Sequence, residues 1–375
     1  MAGIYIHIPY CKKKCPYCDF YSVGNLYELD QYSDYLIKEL VLRKSFLGTD
    51  AVETIYLGGG TPSLIPSDDI EKILCAVFSN FKVIPQPEIT IEVNPDDVSK
   101  DLLKAYKRIN INRISVGVQS FIDSELEFLG RRHDAIEALT SISLIQEEGF
   151  ENISIDLIYG IPGSSYASWE KNLLTATDLN VMHLSCYHLS FEEDTLMFKK
   201  VKNKEITAVS EDLSLVQFGL LREIAGAKGF EHYEVSNFAR NRQYSKHNTS
   251  YWIGAPYLGL GPGAHSFNSD CRFWNPRSLK DWKSGLDKSE PAFEGELLTD
   301  VDKFNELLLT RLRTIWGLNI NLLRKEFDDN LTEIMLKNSN RYLVNGMLIL
   351  EDNYLKIPAE YFFVSDRIIS DLMIG

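Results

Sequence analysis

Short apolar runs alternate with amphipathic segments over the first half of the chain. Six runs rich in β-branched and aromatic residues are predicted strands, at residues 4–8, 52–57, 88–93, 113–118, 152–158 and 182–187. The segments between them place apolar residues at helical spacing, as at 26–46, 100–108, 135–148 and 166–179. The sequence SDDIE at 67–71 is predicted to be the start of a further helix, capped by Ser67. Strands that alternate with helices are typical of parallel βα units, so the pattern predicts an α/β fold with a parallel sheet.

The pattern changes after about residue 200. A basic connector at 199–204 leads to a predicted helix at 212–229, and an aromatic, glycine-rich stretch covers 232–267 before a helix at 279–286. From residue 299 onward we predict helices and one small hairpin, at 303–314, 322–327, 331–345, 347–351, 354–357 and 365–372. Helices combined with a hairpin in this order suggest a winged-helix-like module. The predicted domains are therefore residues 1–200, 201–298 and 299–375.

The charge balance excludes one class of partner. Lys and Arg number 39 against 53 Asp and Glu, which gives a net charge of −14. Nucleic-acid binding depends on neutralising phosphates with cations, so we expect no nucleic-acid partner. No apolar run approaches the ~20 residues that span a bilayer. The first residues also lack the pattern of a signal peptide, so we expect a cytoplasmic protein.

Three cysteines stand close together near the start of the chain. Cys11, Cys15 and Cys18 form a CxxxCxxC run directly after the first predicted strand. A structural zinc site needs four ligands, whereas three thiolates leave one iron of a [4Fe–4S] cluster open to another ligand. We therefore favour the cluster, keep zinc as the alternative, and consider a disulfide less suited to a reducing compartment. The other cysteines are predicted to be buried, inert thiols: Cys75, Cys186 and Cys271.

Polar and glycine residues recur at the carboxyl ends of the predicted strands. They include the segment 58–63, Glu92, Gln119 and Asp156. Ligands of parallel α/β sheets and barrels bind at this end of the strands. Each feature alone also fits a tight turn or a satisfied buried polar group. Their repetition at one edge favours a single site.

Six motifs resemble those of the radical S-adenosylmethionine (SAM) superfamily, in its branch related to oxygen-independent coproporphyrinogen III oxidase. The motifs are YIHIPYCKKKCPYC at 5–18, GGGTPS at 58–63, EVNP at 92–95, GVQSF at 117–121, LGRRH at 129–133 and DLIYGIP at 156–162. Three further motifs resemble the heme chaperones of that branch: YEVSNFA at 233–239, HNTSYW at 247–252 and GPGAHS at 261–266. The resemblance covers nearly the whole chain.

The resemblance implies a three-quarter (βα)6 barrel at residues 1–200, followed by an extension at 201–298 and the winged-helix-like module at 299–375. It also implies that Cys11, Cys15 and Cys18 hold a [4Fe–4S] cluster whose open iron binds the amino and carboxylate groups of SAM. An electron from the cluster could then cleave SAM to methionine and a 5′-deoxyadenosyl radical. The family's SAM contacts carry over to Tyr5, Tyr17, Gly59, Gly60, Thr61, Glu92, Gln119, Arg131 and Asp156.

Two departures separate the chain from the oxidase. The oxidase has a further cysteine two positions after the third motif cysteine, where this chain has Phe20. It also carries a long N-terminal extension, whereas only ten residues precede Cys11. Both departures favour a heme chaperone, which binds heme as cargo and delivers it to acceptor proteins such as respiratory ones, with no catalytic residue assigned. Oxidative decarboxylation of a porphyrinogen is the alternative function, and a zinc-stabilised scaffold is the third.

His247 is the residue predicted to contact heme. Neutral imidazole ligates iron well, and Tyr251 and Trp252 could pack on a porphyrin face. The alternative is that His247 only braces an aromatic turn. Five other histidines are predicted to be structural: His133, His183, His188, His232 and His265. Besides heme and its acceptors we expect an electron donor as a partner, and we consider transient contact with a membrane surface during delivery.

Overall fold

Six parallel strands form the centre of the structure, a computed structural model that describes residues 1–375. The strands are β1 (Ala2–Ile8), β2 (Val52–Gly59), β3 (Val83–Val93), β4 (Arg113–Gln119), β5 (Asn152–Tyr159) and β6 (His183–His188). Between them lie α1 (Tyr32–Leu42), α2 (Ser67–Asn80), α3 (Lys100–Arg108), α4 (Asp123–Phe128), α5 (Ala135–Glu147) and α6 (Tyr166–Asp178). Each strand pairs in parallel with the next one along the chain. The predicted partial barrel of βα units is confirmed.

The extension after the barrel adds strands to both edges of the same sheet. Its elements are α7 (Leu196–Lys202), α8 (Glu211–Ala227), β7 (Glu231–Glu234), β8 (Asn237–Ala239), α9 (Lys246–Trp252), β9 (Tyr257–Leu260), β10 (His265–Phe267), β11 (Cys271–Trp274), α10 (Leu279–Asp287) and β12 (Glu294–Leu297). Strand β8 pairs with β6 and β9 pairs with β1, so the sheet has twelve strands. The sheet thus crosses the predicted domain boundary at residue 200.

The C-terminal region is a small α+β module. It comprises α11 (Asp300–Arg311), β13 (Leu318–Asn319), α12 (Ile320–Glu326), α13 (Asp329–Val344), β14 (Ile349–Glu351), β15 (Tyr354–Lys356) and α14 (Ser365–Leu372). Its three strands form a separate antiparallel sheet in the order β13-β15-β14. This is the winged-helix-like arrangement that the sequence predicted. A single hydrophobic cluster of 67 buried residues runs through the barrel, the extension and this module, so they share one core.

The barrel interior differs from that core because it is polar. Its strands bury Thr54, Thr90, Ser115 and Ser154 between them, and α9 contributes the buried His247. Buried polar groups usually have hydrogen-bonding partners. Thr54 shares a hydrogen bond with His247 over 2.8 Å, whereas the Thr90 hydroxyl has no partner. Polar side chains also line the barrel at the carboxyl ends of its strands.

Three local predictions were wrong. Helix α1 begins at Tyr32 rather than residue 26, because Leu29–Gln31 form a 3-10 turn first. Helix α2 has Pro66 at its N-cap position without a side-chain hydrogen bond, so Ser67 does not cap it. Cys75 is exposed on α2 and Cys271 is half-buried, so of the three remaining cysteines only Cys186 is buried as predicted. In addition, none of the helices has the length and apolar character needed to cross a membrane.

Candidate cofactor and ligand site

The cysteine loop is closed at its base by backbone hydrogen bonds. The Cys11 amide donates to the Val23 carbonyl over 3.1 Å, and the Val23 amide donates to the Pro9 carbonyl over 2.6 Å. Inside the loop the Cys18 amide donates to the Cys15 carbonyl over 3.1 Å. These bonds fix the backbone of the irregular loop that follows β1 and carries the three thiols.

The thiols are partly removed from water. Burial raises the pKa of Cys11, and it raises the pKa of Cys18 to about 11. Thr61 Oγ1 donates to Cys11 Sγ and Arg131 Nη1 donates to Cys15 Sγ, each over 3.6 Å. Thiols with raised pKa values are protonated at neutral pH and become metal ligands by losing the proton when iron binds. The neighbouring donors then stabilise the thiolates.

The number of cysteines in the loop bears on the two metal hypotheses. A structural zinc site needs four ligands, whereas three thiolates leave one iron of a [4Fe–4S] cluster open to another ligand. The loop supplies Cys11, Cys15 and Cys18, so its ligand count fits the cluster.

The glycine segment after β2 lies directly against the cysteine loop. Gly59 has a φ of +112°, and a Cβ there would lie 2.5 Å from Nδ1 of His7. A Cβ on Gly60 would lie 2.7 Å from the Tyr10 carbonyl oxygen and 3.0 Å from Cys11 Sγ. Only glycine fits this conformation and this closeness, so the backbone can approach a ligand beside the thiols.

Two half-buried carboxylates follow on β3 and β5. Glu92 accepts hydrogen bonds from Tyr56 Oη at 2.7 Å and from the Gly59 amide at 3.1 Å. Burial raises the pKa of Glu92 to about 7, although the Tyr56 bond opposes the rise. Asp156 accepts from Ser115 Oγ at 3.2 Å, and burial also raises its pKa. Both acids can accept hydrogen bonds from ligand hydroxyls.

Arg131 is already bonded to the protein. Its Nη2 donates to Asn94 Oδ1 over 2.7 Å and to the Gly117 carbonyl over 2.6 Å, while its buried Nε has no partner. To bind a carboxylate through two nitrogens, Arg131 would therefore have to give up one of its hydrogen bonds to Asn94 or Gly117. Asn94 was not predicted as a site residue, although it stands in the EVNP motif at the end of β3.

These groups line one cavity of about 530 Å³, which we call the cluster cavity. The structure brings together the three loop cysteines and eight of the nine predicted SAM contacts there: Tyr17, Gly59, Gly60, Thr61, Glu92, Gln119, Arg131 and Asp156. Tyr5 is the exception. Its hydroxyl bonds Nδ1 of His7 at 3.1 Å, and it lines a neighbouring cavity instead.

The neighbouring cavity is larger, about 970 Å³, and we call it the large cavity. It extends from Tyr5 and Tyr56 in the barrel to β10 and β11 and on to α11 and α12 of the C-terminal module. Four residues line both cavities: Asp19, Phe20, Glu92 and Tyr187. The two cavities therefore share a wall. Of these four, Phe20 is the residue that departs from the oxidase motif. Tyr187 was not predicted from the sequence, because only its position at the end of β6 distinguishes it.

His247 lines the large cavity, but both of its ring nitrogens are bonded. Nδ1 shares a hydrogen bond with Thr54 Oγ1 and Nε2 shares one with Tyr251 Oη, each 2.8 Å long. The ring is 1% exposed, and burial lowers its pKa to about 3. His247 is thus a neutral, fully bonded side chain. Trp252, half-buried at the end of α9, does not line either cavity.

Arg113 is a charged residue near the site that sequence reasoning missed. It is 1% exposed at the start of β4, its Nε has no hydrogen-bond partner, and it forms no ion pair. Its charge opposes the rise in the pKa of Glu92 and of Asp156. The only sequence signal was a cation at a strand position expected to be buried.

The fold and the cysteine loop together define a radical SAM type of barrel. The family model described as the radical SAM superfamily matches residues 5–176, and that of the HemN C-terminal domain matches residues 298–360. Coproporphyrinogen III oxidase (HemN) from Escherichia coli has a similar fold, with a TM-score of 0.86, 23% identity, and coverage of 99% of this chain and 90% of that chain.

Curated relatives narrow the family further. The heme chaperone HemW of Synechocystis sp. is 34% identical over 84% of this chain and 79% of its own length. HemW of Bacillus subtilis is 32% identical over 85% of each chain. The chain therefore belongs to the radical SAM superfamily and, within it, to the HemW family. Membership implies a [4Fe–4S] cluster and SAM, and the residues of the cluster cavity fit both groups.

Proposed function

We propose that this protein is a heme chaperone that binds heme in the large cavity and transfers it to acceptor proteins, respiratory ones among them. The observation that carries the proposal is the wall shared by the two cavities. Heme in the large cavity would lie beside the cluster and SAM, because Phe20, Glu92 and Tyr187 face both. The cluster and SAM would then support or regulate heme handling, and an electron donor would be a further partner.

The large cavity suits a flat, mostly apolar ligand. Its volume lies at the upper end of the ~300–1,000 Å³ that small-molecule sites occupy. Aromatic side chains line it at several levels, including Tyr56, Tyr251, Tyr257, Phe267 and Phe327. Aromatic rings stack favourably on one another, so these side chains could pack against a porphyrin.

In the cluster cavity each residue has a role that follows from its contacts. Cys11, Cys15 and Cys18 would hold the cluster, which when bound would supply the electron for reductive cleavage of SAM. Gly59 and Gly60 would let the backbone approach SAM closely, as their crowded Cβ positions require.

The remaining SAM contacts would recognise its polar groups. Glu92 and Asp156 would accept hydrogen bonds from the ribose hydroxyls. Arg131 would pair with the methionyl carboxylate through the nitrogen that has no partner. Tyr5 would contact SAM from the side of the shared wall that faces the large cavity.

The proposed contact between His247 and heme requires one bond to open. Nε2 would have to release Tyr251 Oη before it could ligate iron, while the Thr54 bond on Nδ1 could stay and orient the ring. The lowered pKa of His247 keeps the imidazole neutral, as ligation demands. If the bond stays closed, His247 instead supports Tyr251 at the cavity wall.

Anaerobic heme titration of reconstituted protein, beside a coproporphyrinogen assay on the same preparation, tests this function against the oxidase alternative. We expect one heme bound per chain and no protoporphyrinogen formed with SAM and a strong reductant, because Phe20 replaces the further cysteine of the oxidase motif. A true oxidase serves as the positive control. Multiple-turnover product formation would refute the chaperone proposal, and so would the absence of heme binding.

A further inference from the structure

The large cavity has two chemically different ends. The end next to the cluster cavity carries the shared residues Asp19, Phe20, Glu92 and Tyr187. The far end is formed by β11 and by α11 and α12 of the C-terminal module. Two arginines line the far end, Arg272 on β11 and Arg311 on α11.

Arg311 has unused hydrogen-bond donors. Its Nη2 donates to the Ile253 carbonyl over 2.8 Å, and no carboxylate lies within ion-pair distance. Burial lowers the pKa of Arg311, which means that its charge is poorly hydrated. A guanidinium has five N–H donors, so most of those on Arg311 remain available to an anion in the cavity.

Arg272 is only partly engaged. Its Nη2 pairs with Glu306, but its buried Nε has no partner. Burial raises the pKa of Glu306, so Glu306 is a poorly stabilised anion at this position. Another carboxylate could therefore share Arg272 with Glu306 or replace it.

The other cations of the cavity are committed elsewhere. Lys303 pairs with Asp270 at 2.7 Å. Arg277 donates to the Asp19 backbone carbonyl over 2.6 Å and so belongs to the end next to the cluster cavity. Only the far end thus combines two guanidinium groups with unused donors.

We propose that the far end of the large cavity is a carboxylate-binding end, in which Arg272 and Arg311 hold the propionate groups of heme. This inference rests on the proposed heme binding. It orients the ligand, with its carboxylates toward the C-terminal module and its opposite edge toward Tyr187 and the cluster cavity. Guanidinium groups bind carboxylates through paired hydrogen bonds, and a porphyrin without charged side chains could not make them.

The test compares heme with heme dimethyl ester, in which both propionates are neutral. We expect the full-length protein to bind heme about 10- to 100-fold more tightly than the ester, as one or two charge-assisted hydrogen bonds imply. Arg311→Met should weaken heme binding by about the same factor and leave ester binding unchanged. Arg311→Lys should recover part of the loss because it keeps the charge.

A second variant tests Arg272 without removing it. Glu306→Gln frees Arg272 from its ion pair, so heme should bind several-fold more tightly while ester binding stays constant. Arg222→Met is the matched control, because Arg222 also has a buried Nε without a partner but lines neither cavity. It should bind both ligands like the unmodified protein.

The outcomes separate this inference from the proposed function. If the unmodified protein binds heme but binds the ester equally well, or if Arg311→Met binds heme normally, the carboxylate-binding end is refuted and heme binding stands. If the unmodified protein binds neither ligand, the proposed function fails and this inference fails with it.

Discussion

The two cavities share a wall but are assembled from the chain in different ways. The cluster cavity is lined mainly by residues at the carboxyl ends of β1 to β6 and in the segments that follow these strands. The large cavity combines residues from Tyr5 to Phe327, and much of it lies between the extension and the C-terminal module. The first is a local feature repeated along one sheet edge, whereas the second exists only after distant elements pack together.

This difference explains why the two sites were predicted unequally. Parallel strands bring their carboxyl ends to one edge, so motifs at successive strand ends must converge. No comparable rule places α11 beside β11, because that contact depends on packing within the shared core. The cluster cavity should therefore respond to changes in single motifs, and the large cavity to changes in packing. Four predictions test this contrast.

Replacing any one of Cys11, Cys15 or Cys18 with Ala should have the largest effect. Loss of one thiolate leaves a second iron without a protein ligand, so we expect loss of the brown chromophore and most of the bound iron. Heme binding should remain, because none of the three lines the large cavity. Iron and sulfide analysis beside heme titration measures both. Cys186→Ala is the control, and loss of its cluster would show that the motif alone does not hold the iron.

Arg131→Met should weaken SAM binding by about one and a half to three orders of magnitude. A charge-assisted pair in a partly dry site is worth roughly 2–4 kcal/mol, and each 1.4 kcal/mol is about tenfold in affinity. Calorimetry on reconstituted protein measures the change, and heme affinity should stay constant. Arg132→Met is a matched control, since Arg132 pairs with Asp96 at 2.9 Å and does not line the cavity. Equal SAM affinities in both variants would remove Arg131 from the site.

His247→Ala should destabilise the fold by about 2–4 kcal/mol, because Thr54 Oγ1 and Tyr251 Oη each lose a buried partner. Denaturant unfolding measures this loss. The absorption spectrum of bound heme then shows whether His247 is an iron ligand or only a structural side chain. Unchanged stability together with an altered spectrum would identify His247 as an iron ligand whose hydrogen bonds matter little.

The smallest expected effect is a pH dependence of SAM binding. The pKa of Glu92 is about 7, so the carboxylate is ionised above this pH and protonated below it. Because an ionised acceptor forms the stronger hydrogen bond, SAM affinity should fall about fivefold between pH 8 and pH 6. Glu92→Gln should remove this dependence. Arg113→Met should move it to higher pH, because the Arg113 charge lowers the pKa of Glu92. A flat profile in the unmodified protein would contradict the role of Glu92.

Local patterns determined the barrel and the cluster cavity. Six apolar runs that alternate with helical segments leave few arrangements other than parallel βα units, and these place Cys11, Glu92 and Asp156 at one edge. The GGGTPS motif marked Gly59 and Gly60, and the structure gives the physical reason, since a Cβ at either position would be crowded. Boundaries were less certain, as α1 and Ser67 show, because a preceding turn or proline changes where a helix begins.

Long-range packing decided the rest of the molecule. Pairing of β9 with β1 and of β8 with β6 extends the barrel sheet, and no short segment encodes which edge an added strand will join. The same packing bonds both nitrogens of His247 and brings Arg272 and Arg311 to one end of the large cavity. Hydrogen-bond partners separated by nearly 200 residues, such as Thr54 and His247, depend on where whole elements settle in the core. The sequence by itself therefore determined the chemistry at the strand ends, and only the tertiary structure decided the shape and charge of the cavity beside them.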